Sequence, residues 1–444
     1  MENRTDDYPS KTYAWYTVFL LLVVYTFSFI DRQILGLLGP AIIEDFEISD
    51  TQFGILTGFA FAVFYTAFGL LCARIADSRP RKGLIAVGLA LWSLMTAGSA
   101  LAQSYLHLFL MRMGVGVGEA TLAPGANSII ADSFPKERLA TALSVYSMGI
   151  PVGSAIAFII GGKVLEISES LPDITLPMVG ALSGWQKTFL IVGIPGLLLT
   201  VLILLLKEPT RKGLTGDKAS LPVSEVVAFL KTRARAMSGL CMGVSLNACV
   251  GFGTATFLTI FFMRKHGMSP ADVGITFGVM SLFTGSLGLL VGGWIADKLV
   301  FKGRKDAHIL ALMVAPLGYF IPSVLFPQMS DLTMAWIILG VANFFINLPS
   351  GVAYAGLQII TPNQMRGQVI ALYVLTTSIV GYGGGPFLIG WIVDNVFGDP
   401  MRIDDAISLV VLITTPIGIA SFLWCRKAFA RAVAEEEARI AAGG

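Results

Sequence analysis

Apolar residues fall in twelve runs, at roughly 14–39, 52–75, 83–103, 105–131, 139–163, 186–206, 236–263, 271–296, 307–327, 332–360, 367–393 and 406–425. Charged or turn-forming clusters bound each run, and each is long enough for a helix across a hydrocarbon core about 30 Å thick. None alternates apolar and polar residues with a period of two, which argues against an outer-membrane barrel. The pattern predicts an all-α membrane protein of twelve transmembrane helices. Residues 1–10 are polar, and the first apolar run outlasts a signal-peptide core without a small-residue cleavage site. It is expected to stay as the first span.

The longest polar stretch, 207–235, comes after the sixth run and divides the chain. The expected organisation is an N-terminal six-helix bundle over 1–206, a cytoplasmic linker over 207–235, a C-terminal bundle over 236–425 and a cytoplasmic tail over 426–444. The halves also repeat. Ala73-Arg-Ile-Ala-Asp77, followed by Arg81-Lys82, returns 220 residues later as Gly293-Trp-Ile-Ala-Asp297, followed by Arg304-Lys305. Pro135-Lys-Glu-Arg138 before the fifth run corresponds to Pro362-Asn-Gln-Met-Arg366 before the eleventh. Two matches at nearly one offset point to parallel six-span repeats, a transporter ground plan.

Composition agrees: 55% of the 444 residues are hydrophobic and 14% charged, against about 25% charged in an ordinary soluble domain. A net charge of +2 gives no footprint for nucleic acid. With the N-terminus inside, 24 of the 31 basic residues fall in inner segments and five in outer ones, so both termini are expected in the cytoplasm. Cys72, Cys241, Cys249 and Cys425 show no metal-binding spacing, and His107, His266 and His308 lie near the ends of runs. The cysteines read as apolar filler and no metal is expected.

The Asp77 and Asp297 loops resemble the loop signature of the major facilitator superfamily, with Ala73 and Pro80 standing where glycines are usual. Gly149-Ile-Pro-Val-Gly153 with Gly161-Gly162 resembles its fifth-span motif. Within that superfamily, Phe29-Ile-Asp-Arg-Gln33 and Arg112-Met-Gly-Val-Gly-Val-Gly-Glu-Ala120 are similar to the Spinster family of lipid transporters. The resemblance implies an inner gate at Asp77 and Arg81, with Asp297 as its weaker echo. There a carboxylate would meet the positive end of the eleventh helix.

Four ionisable residues lie inside spans: Asp31, Arg32, Arg112 and Glu119. Each is unfavourable by roughly 2.5–3.5 kcal/mol at mid-bilayer, which makes it a candidate for function. At 1.5 Å per residue their depths overlap, and Arg112 and Glu119 share a helix face. The bland alternative is a pair of buried salt bridges joining the first and fourth helices. With no histidine at that depth, proton coupling falls to Asp31 or Glu119. Arg32 and Arg112, which do not release their protons, are left to hold an anionic headgroup. Gly114, Gly116 and Gly118 lie between the fourth-span charges, and serve helix packing or ligand approach equally well.

The second half offers no mid-depth charge, only Asn247, Asn343 and Asn347, which could bind the uncharged part of a headgroup or bond between helices. Gly149, Pro151 and Gly153 in the fifth run, with Gly384, Gly385 and Pro386 in the eleventh, are candidate hinges. The expected function is a proton-coupled secondary transporter of an anionic amphiphile, of lysophospholipid or sphingoid-phosphate type, working by alternating access. The alternative substrate is a small organic anion such as a sugar acid or dicarboxylate. No Walker motif is present, so the energy source is expected to be a proton gradient, with no cofactor. A membrane-embedded enzyme is the main rival class, but neither the cysteines nor the histidines supply its catalytic cluster, and a non-transporting receptor or sensor is a third reading. The expected setting is the plasma (inner) membrane, with protons, lipid and substrate as partners and the chain as a monomer.

Overall fold

The computed structural model describes residues 8–172, 174–176, 180–211, 223–362 and 365–441. Contacts divide the chain into two compact units: unit 1 holds 1–48, 60–216 and 269–278, and unit 2 holds 49–59, 217–268 and 279–444. Each bundle therefore includes a short segment from the other half of the sequence.

Along the first half run α1 (Lys11–Leu37), α2 (Gly39–Phe46), α3 (Asp50–Thr57), α4 (Phe59–Ser78) and α5 (Arg81–Gly98). They are followed by α6 (Tyr105–Glu119), α7 (Leu122–Ser133), α8 (Lys136–Ser147), α9 (Gly149–Ser170) and α10 (Gly184–Leu205). A two-residue antiparallel ladder, β1 (Thr175–Leu176) with β2 (Gly180–Ala181), is the one strand pairing among the described residues. Val18, Leu21, Leu89, Trp92, Val115 and Ile129 form the centre of the unit 1 core.

The second half continues with α11 (Val223–Thr232), α12 (Ala234–His266), α13 (Pro270–Phe301), α14 (Ala307–Leu325), α15 (Leu332–Asn347) and α16 (Pro349–Ile359). Then come α17 (Arg366–Thr376), a π-helix over Thr377–Gly383, α18 (Gly384–Ile392), a second π segment over Val393–Phe397 and α19 (Ile403–Ala441). Leu240, Ile309, Leu312, Leu357, Phe422 and Phe429 centre the unit 2 core.

Eleven helical stretches among the described residues are long and apolar enough to span a membrane. The remaining predicted span, 105–131, is present as α6 and α7, interrupted at Ala120–Thr121 directly after Glu119. Within the expected linker, α11 occupies Val223–Thr232. The expected tail is the continuation of α19, one helix of 39 residues.

Glycines set where backbones meet. In unit 2, a side chain on Gly54 or Gly58 of the second span would strike the Pro386 or Gly383 carbonyl, and Gly390 sits equally close to Asp50. In unit 1, Gly274 and Gly278 of the eighth span face the carbonyls of Phe158 and Ala155 in the same manner. Gly54 with Gly274 and Gly58 with Gly278 are each separated by 220 residues, the offset of the Asp77 and Asp297 loops. The repeat thus carries its close-approach points as well as its loops.

Arg81, at the start of α5, is almost fully buried and gathers the end of unit 1. Its Nε donates to Glu208 Oε1 at 2.8 Å, its Nη1 to Ser128 Oγ at 3.0 Å and to Asp132, and its Nη2 to the Pro209 carbonyl at 2.9 Å. Burial raises the Glu208 carboxyl, but the Arg81 side chain and the Arg81 and Lys82 backbone N–H groups outweigh it and hold the group below its ordinary value. In unit 2 the repeat's Arg304 is exposed instead. It grips Asp306 at 2.9 Å, and Asp306 also accepts from Arg426 of α19 at 2.6 Å. With Arg304 foremost, Arg426 assisting and burial opposing, the Asp306 carboxyl is lowered to about 2.

Both networks can be probed by unfolding. Arg81→Ala removes the buried cation that Asp132 and Glu208 share and should cost about 3–5 kcal/mol; an unchanged melting temperature would mean the network is not stabilising. A depressed carboxyl contributes stability above its unfolded pKa of roughly 3.9 and loses it as pH falls towards the folded value. Thermal unfolding from pH 5 to pH 2.5 should therefore show a loss for the parent protein that is shallower in Asp306→Asn.

Candidate functional site

The four intramembrane charges all lie in unit 1, and the structure brings them together. Glu119 closes α6, and its Oε2 accepts from Arg32 Nε at 2.6 Å and from Ser28 Oγ at 2.7 Å, both on α1. Arg112, two turns earlier on α6, donates from Nη1 to the Asp31 backbone carbonyl at 3.1 Å. Residues 28, 31 and 32 place three polar groups within about one turn of α1, and the spacing of 112 and 119 presents both to that helix. Asp31, Arg112 and Glu119 are 3%, 1% and 1% exposed.

Pairing is incomplete. Asp31 Oδ1, Glu119 Oε1 and Arg112 Nε are buried without a hydrogen-bond partner. A buried polar atom left unsatisfied costs roughly 1–3 kcal/mol, so three in one cluster is a departure that stability alone would not favour. The sum of formal charges over the two carboxylates and two guanidinium groups is zero.

Arg32 is the member nearest the open, with its side chain 13% exposed. Its guanidinium carbon lies 4.9 Å, 4.6 Å and 4.8 Å from the ring centres of Phe29, Phe61 and Tyr65. The three rings fix the cation from its flanks, each contact contributing about 0.5–2 kcal/mol. Its bond to Glu119 uses Nε.

The fourth-span glycines serve packing. A side chain on Gly116 would meet Phe61 and Tyr65 of α4, one on Gly118 would meet Gly88 and Trp92 of α5, and one on Gly114 would meet Met95. Two of the second-half asparagines join helices and the third bonds within its own. Asn247 Nδ2 donates to the Ile346 carbonyl at 3.0 Å, leaving Oδ1 without a partner. Asn343 Nδ2 donates to Thr284 Oγ1 at 2.8 Å, and Asn347 Nδ2 to the Asn343 carbonyl at 2.8 Å.

Among the expected gate residues, Arg81 is committed to Asp132, Ser128 and Glu208. Asp297 is exposed near the end of α13, and Asp77 falls at the end of α4 with its side chain outside the described residues. Of the expected hinges, Gly149 and Gly153 seat Tyr25 and Phe29 of α1, with Pro151 between them. Gly385 seats the Cys249 carbonyl of α12, whereas Gly384 is in looser contact and Pro386 lies against Gly54.

One ion pair in unit 2 has no counterpart among the sequence expectations. Arg264, at the end of α12, binds Asp50 with Nη1 at 2.7 Å and Nη2 at 3.0 Å, while Asp394 accepts the Thr51 backbone N–H at 2.7 Å. Only the Ser49–Gln52 capping box, which starts α3, has a local sequence signature. The partners of Asp50 and Thr51 lie 214 and 343 residues away.

This is a bundle-forming membrane protein with a charged site buried in one helical unit, and residues 21–386 match the description Major Facilitator Superfamily. The chain belongs to that superfamily, is a transporter rather than an enzyme, and resembles Spinster proteins. It is similar to an MFS-type efflux pump of Mycolicibacterium smegmatis, with 29% identity over 96% of this chain and 95% of that one. It is also similar to a sphingosine-1-phosphate transporter of Xenopus tropicalis, with 24% identity over 87% and 76%. A solved bacterial homologue of the human lysosomal transporter Spinster, described as inward-facing and unoccupied, aligns with a TM-score of 0.78 and 27% identity over 96% of this chain and 99% of that one.

The Arg32–Glu119 pair gives a direct test. Arg32→Gln strands a carboxylate that is wholly buried and should cost about 3–5 kcal/mol, whereas Glu119→Gln strands a partly exposed cation and should cost less. The double variant should lose less than the sum of the two. Strictly additive losses in thermal unfolding would show that the side chains are not coupled.

Proposed function

We propose that the protein is a proton-coupled transporter of a single-chain anionic amphiphile, working by alternating access. The observation that carries this reading is the charge-neutral, incompletely bonded cluster of Asp31, Arg32, Arg112 and Glu119. A planar guanidinium held among three rings suits a phosphate or carboxylate head. The similarity to a sphingosine-1-phosphate transporter supports the same substrate class.

Coupling arises from charge balance. An anion entering a cluster of zero net charge leaves one negative charge uncompensated in a medium of low dielectric. Protonation of Glu119 or Asp31 restores neutrality, so proton and anion favour each other's binding, and the coupling is reciprocal. A neutral Glu119 would also free Arg32 Nε for the ligand. The proposed setting is the plasma membrane, with both termini cytoplasmic and the chain acting as a monomer. Burial of a tail is favourable by about 0.8 kcal/mol per methylene, but the bilayer already supplies much of that. Selection therefore acts at the head.

Thermal-shift measurements should show stabilisation by lysophosphatidylglycerol and sphingosine 1-phosphate but none by succinate or gluconate. The reverse result would move the substrate to the small organic anions. Lysophosphatidylglycerol keeps one charge across the working pH range, so its tighter binding at pH 5.5 than at pH 7.5 would report protein protonation. That difference should vanish in Glu119→Gln or in Asp31→Asn, and its persistence in both would remove the proton assignment. In proteoliposomes, Arg32→Lys should lower uptake of these lipids at least tenfold, through loss of the planar fork.

A further inference from the structure

A cavity of about 270 Å³ lies in unit 2, well away in sequence from the charged cluster, where α11 meets α12 and α19 passes alongside. Arg233, Arg235, Lys427 and Arg431 line it, with Glu435 as the sole carboxylate among its lining residues. Four cations against one carboxylate in so small a space repel one another unless an anion joins them.

Arg233 is the inner cation, with its side chain 11% exposed and a loose 3.4 Å contact to Glu435. Its Nη1 is buried without a hydrogen-bond partner. Arg233 also stands at the N-cap of α12, a helix of 33 residues that begins without a side-chain cap. The start of α12, with its positive dipole end, therefore adjoins the cavity that the arginines line.

The cavity's level in the bilayer can be read from its border. Arg235 donates from Nε to the Trp424 carbonyl at 2.8 Å and lies 5.3 Å from the centre of the Trp424 ring. Trp424 and Leu423 are half exposed on the α19 surface, and beyond them the helix continues with Arg426, Lys427 and Arg431. An exposed tryptophan followed by cations marks the depth at which apolar chains give way to headgroups.

We infer that this cavity is a binding site for a phosphate group, presented by an anionic phospholipid head, and that it is separate from the transport site. Arg233 and the start of α12 hold the phosphate oxygens. Arg431 and Lys427 close over it from α19, while the acyl chains lie against Leu423 and Trp424. The bound head ties the start of unit 2's first long helix to the end of its last.

The test uses the full chain in nanodiscs of phosphatidylcholine, with or without about a fifth of phosphatidylglycerol, and follows unfolding by tryptophan fluorescence. Phosphatidylglycerol should raise the melting temperature, and Arg431→Gln and Lys427→Gln, both at exposed positions, should each lower the apparent affinity about fivefold. Arg233→Gln with Arg431→Gln should abolish the response. A second arm compares sodium phosphate with sodium chloride at equal ionic strength in detergent. No phosphate-specific shift there identifies the lipid head as the source, whereas a shift lost in the double variant keeps the phosphate site and assigns it to the free ion. Equal stabilisation of the parent and double variant by phosphatidylglycerol would overturn the site, since only a general surface-charge effect would remain.

Discussion

A carboxylate that cannot reach water must find a cation, and Glu119 finds Arg32. That bond crosses from α6 to α1 at 2.6 Å, and the rest of unit 1 is arranged around making it possible. Ser28 takes a second lone pair of the same oxygen, and three rings hold the guanidinium in place. A purely structural bridge would satisfy every atom, because well-packed apolar residues could otherwise replace it without loss. This cluster leaves an oxygen on each carboxylate and one arginine nitrogen unbonded. Its bonding therefore falls short of what a structural bridge alone would need.

Small residues make the geometry reachable. Gly116 and Gly118 let α6 settle against α4 and α5, so that Arg112 and Glu119 point from a fixed helix. Gly149 and Gly153 bring α9 onto the face of α1 that carries Tyr25 and Phe29. Because lipid tails are as apolar as leucine, such close backbone approach supplies association that a hydrophobic effect cannot. The same logic explains why the glycine pairs at 54 and 58, and at 274 and 278, recur in the two halves.

Much of this was legible in the sequence because bilayer thickness and charge cost act on local patterns. The helical class, the repeat and the four buried charges all come from run length and residue type. Less legible were relations set by distant partners. Asp50 reads as an ordinary helix-start residue until Arg264 is placed beside it. Arg81 reads as a loop cation, yet it is among the largest fully buried side chains in the protein. The asparagine at 343 looks the same in sequence whether it faces a ligand or, as here, Thr284 of α13. The interruption after Glu119 was open to reading, since Pro124 cannot donate to the Ala120 carbonyl four residues back, and Thr121 turns its hydroxyl to Gly118 there.

The eleventh span passes through its glycine run as a π-helix over Thr377–Gly383 and only then returns to α geometry. A wide turn of this kind accommodates one residue more than an α turn would. Passing that surplus residue along the helix would rotate the downstream turns by about 100° and shift them by about 1.5 Å. Glycines at 381, 383 and 384 present no side chains to obstruct such a screw motion. A surplus residue held as a wide turn lets this glycine-rich stretch stay helical, as hydrocarbon surroundings require of a spanning segment.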